Sequence, residues 1–98
     1  MRKHYEVMEV DAWRDAGSWN YNSLDKLGNL SLDDDRLDGS RSARSVAIYL
    51  LKELRKSRFL SYKSAGNVYV EEVGDWGYEV GAKANRQPLL YLRLMEER

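Results

Sequence analysis

The hydrophobic positions between Gly39 and Leu60 recur at the spacing of an α-helix, more clearly than anywhere else in the chain. Ser40 or Ser42 can accept hydrogen bonds from the first free amides of this helix, and Phe59 and Leu60 are predicted to close the core at its end. The stripe at helical spacing consists of Ala43, Ala47, Leu50, Leu51, Leu54 and Arg58, with Val46 beside it. Such a stripe must be buried, and the face of a sheet is its natural partner.

Most of the remaining chain alternates apolar and polar residues with the period of two that is typical of strands. The alternation predicts strands over residues 5–13, 24–32, 67–73, 76–82 and 89–95. The first two are expected to pair as an antiparallel hairpin. Residues 14–23, rich in Gly, Asn and Ser, are predicted to form a loop or wide turn. Trp76 and Tyr78 are expected in the core, and Pro88 excludes a central-strand position where it stands.

The order β-β-α-β-β-β predicts an α+β fold, with a single helix packed on one face of a mostly antiparallel sheet of about five strands. A chain of 98 residues has the length of a single domain, here residues 1–98. One helix leaves the other sheet face uncovered. The segment Leu89–Met95 is apolar on both sides, so it is expected either in the centre of the sheet or at a subunit contact, and we expect a homodimer.

Composition narrows the classes of partner and of chemistry. The formal net charge is zero, so no global attraction to nucleic acid or to an anionic membrane is expected. The chain has no cysteine, which excludes disulfides and thiolate chemistry. It has no apolar run of about 20 residues and no signal-peptide pattern at its start. We therefore expect a cytoplasmic protein without membrane contact.

Positive charge is concentrated around the predicted helix, with seven basic residues and one acid between positions 41 and 63. Arg41, Arg44, Lys52 and Arg55 share one helical stripe, which could contact phosphates. A purely structural role also accounts for these basic residues, because acids before a helix and cations in its last turn complement the helix dipole. No helix-turn-helix or RNA-binding aromatic signature accompanies the stripe.

Candidate catalytic and metal-binding groups are scarce. His4 is the single histidine, so neither a Ser-His-Asp set nor a zinc site can be proposed. Asp33, Asp34, Asp35 and Asp38 do not follow the spacing of a calcium loop, and they are expected to be solvated and to charge the start of the helix. We therefore predict a protein that is not an enzyme and carries no cofactor or metal.

The aromatic residues Trp13, Trp19 and Tyr21 surround the predicted first loop. Tryptophan and tyrosine are enriched at interface hot spots, but they also fill the cores of small domains. Trp19, placed among Gly, Asn and Ser, is expected to be the most exposed of the three. These aromatics and the four aspartates are the candidate protein-binding residues.

Four stretches of the chain, taken in order, resemble a group of small uncharacterised proteins encoded by phages and mobile elements of gut Firmicutes. These stretches are "GSWNYNSLDKLGNLSL", "LRKSRFLS", "GNVYVEEV" and "QPLLYLRL". The group has the patterns W-x-W-N, G-Y-L and G-x-P-L, where this chain has one tryptophan, "RFL" and "RQPL". The resemblance implies an accessory protein in a bacterial cytoplasm. Such proteins often bind and disable a host protein, anti-CRISPR proteins among them.

Two hypotheses follow. The first is a non-enzymatic protein-binding accessory module, an inhibitor of a host defence complex, in which the aspartates could mimic a phosphate surface. The alternative is a nucleic-acid-binding regulator that uses the basic helix face.

Overall fold

The computed structural model describes residues 2–31, 43–57, 59–60, 67–74 and 77–97. Its elements are β1 (Arg2–Asp15), β2 (Ser18–Ser31), α1 (Ala43–Lys56), β3 (Val68–Val73), β4 (Gly77–Ala82) and β5 (Pro88–Glu97). The strands form one antiparallel sheet in the order β2-β1-β5-β4-β3. The α+β fold predicted from the sequence, with a single helix among the described residues, is confirmed.

The helix packs on one face of this sheet, which we call the helix face. Val46, Leu50 and Leu54, spaced four residues apart, are buried. The sheet contributes alternate residues of each strand to the same cluster, because successive side chains of a strand point to opposite faces. These residues are Tyr5, Val7, Leu30, Val68, Tyr78, Val80, Leu90 and Leu92. Leu50 and Leu54 of the predicted stripe are thus buried, as is Tyr78, whereas Ala47 and Leu51 are half-buried against the core. Arg58 and the side chain of Ala43 lie outside the described residues.

The helix ends at Lys56, before Leu60, where the predicted range ends. At this end the Ser57 hydroxyl donates to the Leu54 carbonyl at 2.7 Å, a local bond that serine often makes to the preceding turn. Phe59 then folds back onto β2, where Gly28 leaves room for its ring. A Cβ at Gly28 would lie 2.6 Å from Cζ of Phe59. Phe59 and Leu60 pack against the core, as expected.

The prediction of a loop over residues 14–23 is wrong. These residues are strand, and the turn consists of Ala16 and Gly17, whose φ angles are 50° and 83°. Two positive φ values are typical of a type I′ hairpin turn, whose twist matches that of the flanking strands. Polar residues are tolerated because one side of this hairpin faces solvent.

The far half of the β1–β2 hairpin, residues 10–23, extends past the sheet, and we call it the ribbon. Pairing of β1 with β5 runs to Glu9↔Leu90, whereas pairing with β2 continues to Asp15↔Ser18. The register of β1 and β2 shifts on both sides of Met8. Such bulges bend a strand and increase its twist. The ribbon therefore leaves the plane of the sheet.

Strand β5 lies in the centre of the sheet, between β1 and β4, which is one of the two positions expected for residues 89–95. The expectation that Pro88 excludes a central strand is wrong, because Pro88 is the first residue of β5 and pairs with Gly81. At the first residue of a strand the missing N–H is tolerated. The sheet face opposite the helix, which we call the open face, carries Glu6, Met8, Tyr69, Glu79 and Tyr91.

Candidate functional site

The two faces of the ribbon separate the aromatic residues that the sequence placed together. The register pairs Ala12 with Tyr21 and Arg14 with Trp19, so these side chains share the inner face, continuous with the open face of the sheet. Trp13 pairs with Asn20 on the outer face. Trp13, Trp19 and Tyr21 thus do not form one cluster.

The inner face of the ribbon contacts the sheet through its aromatic side chains. The Trp19 indole N–H donates to the Asn85 carbonyl, in the turn between β4 and β5, at 2.9 Å. The ring centroids of Tyr21 and Tyr91 lie 6.3 Å apart. Trp19 is half-buried whereas Trp13 is 42% exposed, so the expectation that Trp19 is the most exposed is wrong. The loop interpretation could not anticipate that the ribbon folds over the open face.

Below the ribbon, Glu79 accepts hydrogen bonds from tyrosines. The Tyr69 hydroxyl donates to Oε2 of Glu79 at 2.8 Å. Burial, followed by the negative charge of Glu79 and a hydrogen bond to it, raises the pKa of Tyr21 to about 12. Burial and the Glu79 hydrogen bond also raise the pKa of Tyr69. Both phenols therefore stay protonated and act as donors at neutral pH.

Arg86 connects this network to the β4–β5 turn. Its guanidinium lies 4.4 Å from the centroid of the Tyr69 ring, and its Nη2 donates to Oε2 of Glu71 at 2.8 Å. The φ angle of Arg86 is 62°, in the left-handed region, which costs a non-glycine residue about 1–2 kcal/mol. The arginine that lies over Tyr69 thus has a strained backbone.

An open cleft of about 410 Å³, which we call the tip cleft, lies between the tip of the ribbon and the β4–β5 turn. Arg14 and Trp19 line it on the ribbon side, and Tyr69, Glu79 and Arg86 line it on the sheet side. The Arg14 guanidinium lies 5.5 Å from the centroid of the Trp19 ring. The cleft therefore combines two cations, two aromatic rings and one carboxylate.

A second polar cluster on the open face is centred on Glu6, which is 7% exposed. Its carboxylate accepts a hydrogen bond from Nη2 of Arg93 at 2.8 Å and lies 3.2 Å from Nζ of Lys26. The hydrogen bonds from Arg93 and Lys26, in that order, lower the pKa of Glu6. Glu6 is therefore ionised at neutral pH, and its charge is compensated across three strands.

This lowered pKa predicts how stability responds to acid. A carboxyl group whose pKa is lower in the folded state stabilises that state above its unfolded pKa, and this contribution is lost as pH falls through the folded pKa. We expect Glu6→Gln to be less stable than wild type at pH 7 and to lose less stability on acidification. Urea unfolding at several pH values between 7 and 2 gives the free energy of unfolding of each protein as a function of pH. Glu9→Gln, in the same strand and exposed, controls for the lost charge, and equal slopes for all three proteins would contradict the prediction.

The other predicted site residues are distributed differently. Asp33, Asp34, Asp35, Asp38, Arg41 and Trp76 lie outside the described residues, as does the side chain of Arg44. Lys52 and Arg55 are exposed on the outer side of α1, together with Ile48. That part of the predicted basic stripe faces solvent.

Sequence analysis missed Tyr69, Glu79 and Arg86. They come from a strand pair and a turn that are adjacent only after β3, β4 and β5 pair. The glycines of β4 were a signal that could have been used, because a strand glycine marks the close approach of another group. At Gly81 a Cβ would lie 2.6 Å from Cε1 of Tyr69, so the glycine makes room for the Tyr69 ring.

Comparison with known proteins gives no match: no family model, no curated protein and no solved structure. Within the described ranges, no group of three or more histidine, aspartate or glutamate side chains is placed to hold a metal ion. No helix among the described elements has the length and apolar character needed to cross a membrane.

Proposed function

We propose that this chain is a non-enzymatic protein-binding module that engages its partner through the outer face of the ribbon. The observation that carries the proposal is the exposure of Trp13. This large side chain is 42% exposed on a hairpin that projects beyond the sheet. Tryptophan at such a position is typical of an interface anchor.

The surroundings of Trp13 support this role. Asp11, Asp15, Asn20 and Asn22 are all exposed on the same face of the ribbon. An aromatic centre with a polar rim is the usual arrangement of a protein interface, in which the rim excludes water from the anchor. The two aspartates favour a partner whose apolar pocket is flanked by cations.

The proposed partner is a protein of a bacterial host. The resemblance to small mobile-element proteins supports an accessory role in the cytoplasm, as an inhibitor of a host defence complex. Asp33, Asp34, Asp35 and Asp38 belong to this proposal as a second, acidic contact. The homodimer expected from the sequence is not needed for it.

Alanine replacement of Trp13 tests the proposed function. We expect Trp13→Ala to weaken binding to the host protein by about 30-fold, because a hot-spot residue contributes about 2 kcal/mol or more. The partner is first captured from a bacterial lysate by the wild-type protein and identified by mass spectrometry. Its affinity for the purified variants is then measured by calorimetry.

The matched control is Ile48→Ala, which truncates another exposed apolar side chain, 51% exposed, on α1 rather than on the ribbon. This variant is expected to bind within twofold of wild type. Equal affinities of wild type and Trp13→Ala, with both proteins folded, would refute the proposed binding face.

A second candidate function is contact with nucleic acid through the outer side of α1, for which the exposure of Lys52 and Arg55 is the supporting observation. Binding through phosphate contacts weakens steeply as salt increases. Retention of DNA or RNA at low salt that is lost on replacement of Lys52 and Arg55, but not of Trp13, distinguishes this candidate from the first.

A further inference from the structure

We propose that the tip cleft binds a carboxylate group, presented by a small organic acid or by the free carboxyl terminus of a peptide. The cleft lies on the inner face of the ribbon, whereas Trp13 lies on the outer face. The inference therefore goes beyond the protein-binding function proposed above and does not depend on it.

The donors of this site are two arginines held over aromatic rings. Arg14 lies over Trp19 on one wall, at 5.5 Å, and Arg86 lies over Tyr69 on the other, at 4.4 Å. A guanidinium that covers a ring keeps its N–H groups around its edge, where a planar carboxylate can accept two of them. Arg86 donates Nη2 to Glu71, so the exposed Arg14 is the principal donor.

The charges of the cleft favour an anion over a cation. The chain's own guanidiniums already occupy the aromatic faces that would otherwise attract a cation, and they would repel a second one. Glu79, the carboxylate of the cleft, already accepts the Tyr69 hydroxyl at 2.8 Å and a hydrogen bond from Tyr21. The cleft therefore offers a ligand mainly hydrogen-bond donors.

The same charges favour a carboxylate over a phosphate. Glu79 and the Glu71 partner of Arg86 offset the two guanidiniums. This balance does not supply the excess positive charge that a dianion requires, whereas a single carboxylate matches the fork of Arg14 in charge and in planar shape. A cleft of about 410 Å³ lies within the usual range of small-molecule sites.

The site is formed before a ligand arrives. The Trp19 indole N–H donates to the Asn85 carbonyl, which joins the β4–β5 turn to the ribbon. Within the turn, the Asn85 side chain accepts a hydrogen bond from the Gln87 amide at 3.1 Å. Arg86 keeps a left-handed backbone, a strain that concentrates at functional sites. Preorganised donors lose little entropy on binding.

The test is an NMR titration of the ¹⁵N-labelled full chain that follows the Trp19 indole N–H and the amides of Asn85 and Arg86. The probes are sodium benzoate, a tripeptide with a free carboxyl terminus, the same tripeptide amidated, and inorganic phosphate. We expect saturable shifts with benzoate or with the free tripeptide, and at least tenfold weaker binding of the amidated tripeptide and of phosphate. Benzoate alone would identify small acids as the source, and the free tripeptide alone would identify peptide termini.

The variants are Arg14→Met and Lys83→Ala. Lys83 is an exposed cation of the β4–β5 turn that does not line the cleft, so its removal controls for loss of one positive charge. Arg14→Met is expected to weaken binding at least tenfold and Lys83→Ala by less than twofold. Equal weakening by both variants, or shifts that do not saturate with any probe, would overturn the proposal.

Arg14→Met could change the structure of the ribbon tip itself, and a Trp19 indole resonance that is displaced in the absence of ligand would reveal such a change. A third variant keeps the proposal testable in that event. Arg14→Lys keeps the charge but removes the planar fork, and it is expected to weaken binding of the carboxylate at least threefold. Unchanged affinity in Arg14→Lys would also overturn the proposal.

Discussion

Replacement of Leu50 by alanine is expected to lower the free energy of unfolding by about 3 kcal/mol, the middle of the range for a buried leucine. Leu50 is 0% exposed and lies in the core between the helix and the sheet. Its truncation loses buried apolar area and leaves a cavity that the rigid sheet cannot close. In a domain of this size the melting temperature should fall by roughly 15 °C.

The control lies two residues away on the same helix. Ile48 is 51% exposed, so Ile48→Ala removes similar apolar atoms without making a cavity, and its effect should stay within about 0.5 kcal/mol. Urea unfolding followed by circular dichroism measures both. Comparable losses in the two variants would mean that the helix packs on the sheet by a different face.

The second large effect is expected at Gly77, where β4 begins. A Cβ at this position would lie 2.5 Å from Cζ of Tyr91, close to its hydroxyl, and 2.7 Å from the carbonyl oxygen of Leu92. The backbone oxygen of a central strand cannot move without disturbing the pairing of β4 with β5. Gly77→Ala should therefore lower the free energy of unfolding by about 2 kcal/mol, the usual size of an overpacking effect.

A double-mutant cycle separates the two contacts. In the Tyr91→Ala background the Tyr91 ring is gone, so Gly77→Ala should cost less than in wild type, and the cost that remains reports the Leu92 carbonyl. We expect a coupling of about 1 kcal/mol in chemical unfolding. If the two substitutions are additive within about 0.4 kcal/mol, then the Tyr91 ring does not lie over Gly77.

The hydrophobic pattern was sufficient to predict those elements in which each face meets a single environment, either core or solvent, along its whole length. In α1, Val46, Leu50 and Leu54 repeat at helical spacing, and all three are buried. In β4, Tyr78 and Val80 alternate with smaller or polar residues, and both are buried. A uniform environment imposes one period on the sequence, so the element can be predicted from that period.

The pattern failed in the ribbon because the environment changes along it. Residues 14–23 contain the Gly, Asn and Ser typical of a loop, yet they form strand because cross-strand pairing satisfies their backbone and one side faces water. The bulges around Met8 also interrupt the alternation of β1 and β2. No local signal distinguishes such a ribbon from a loop, since its order comes from the partner strand.

Amino-acid sequence alone determined the order of the elements, the face of the helix that is buried and the presence of a last strand that is apolar on both sides. Those features depend on the spacing of apolar residues within a segment and on how favourably each side chain is solvated, and both can be read from the segment alone. Only the tertiary structure decided that Trp13 faces outward and Trp19 inward, and that Arg14 and Arg86 meet across one cleft. The physical reason is that bulge, twist and turn geometry bring residues 14 and 86 together, and none of these is encoded in the spacing of either segment.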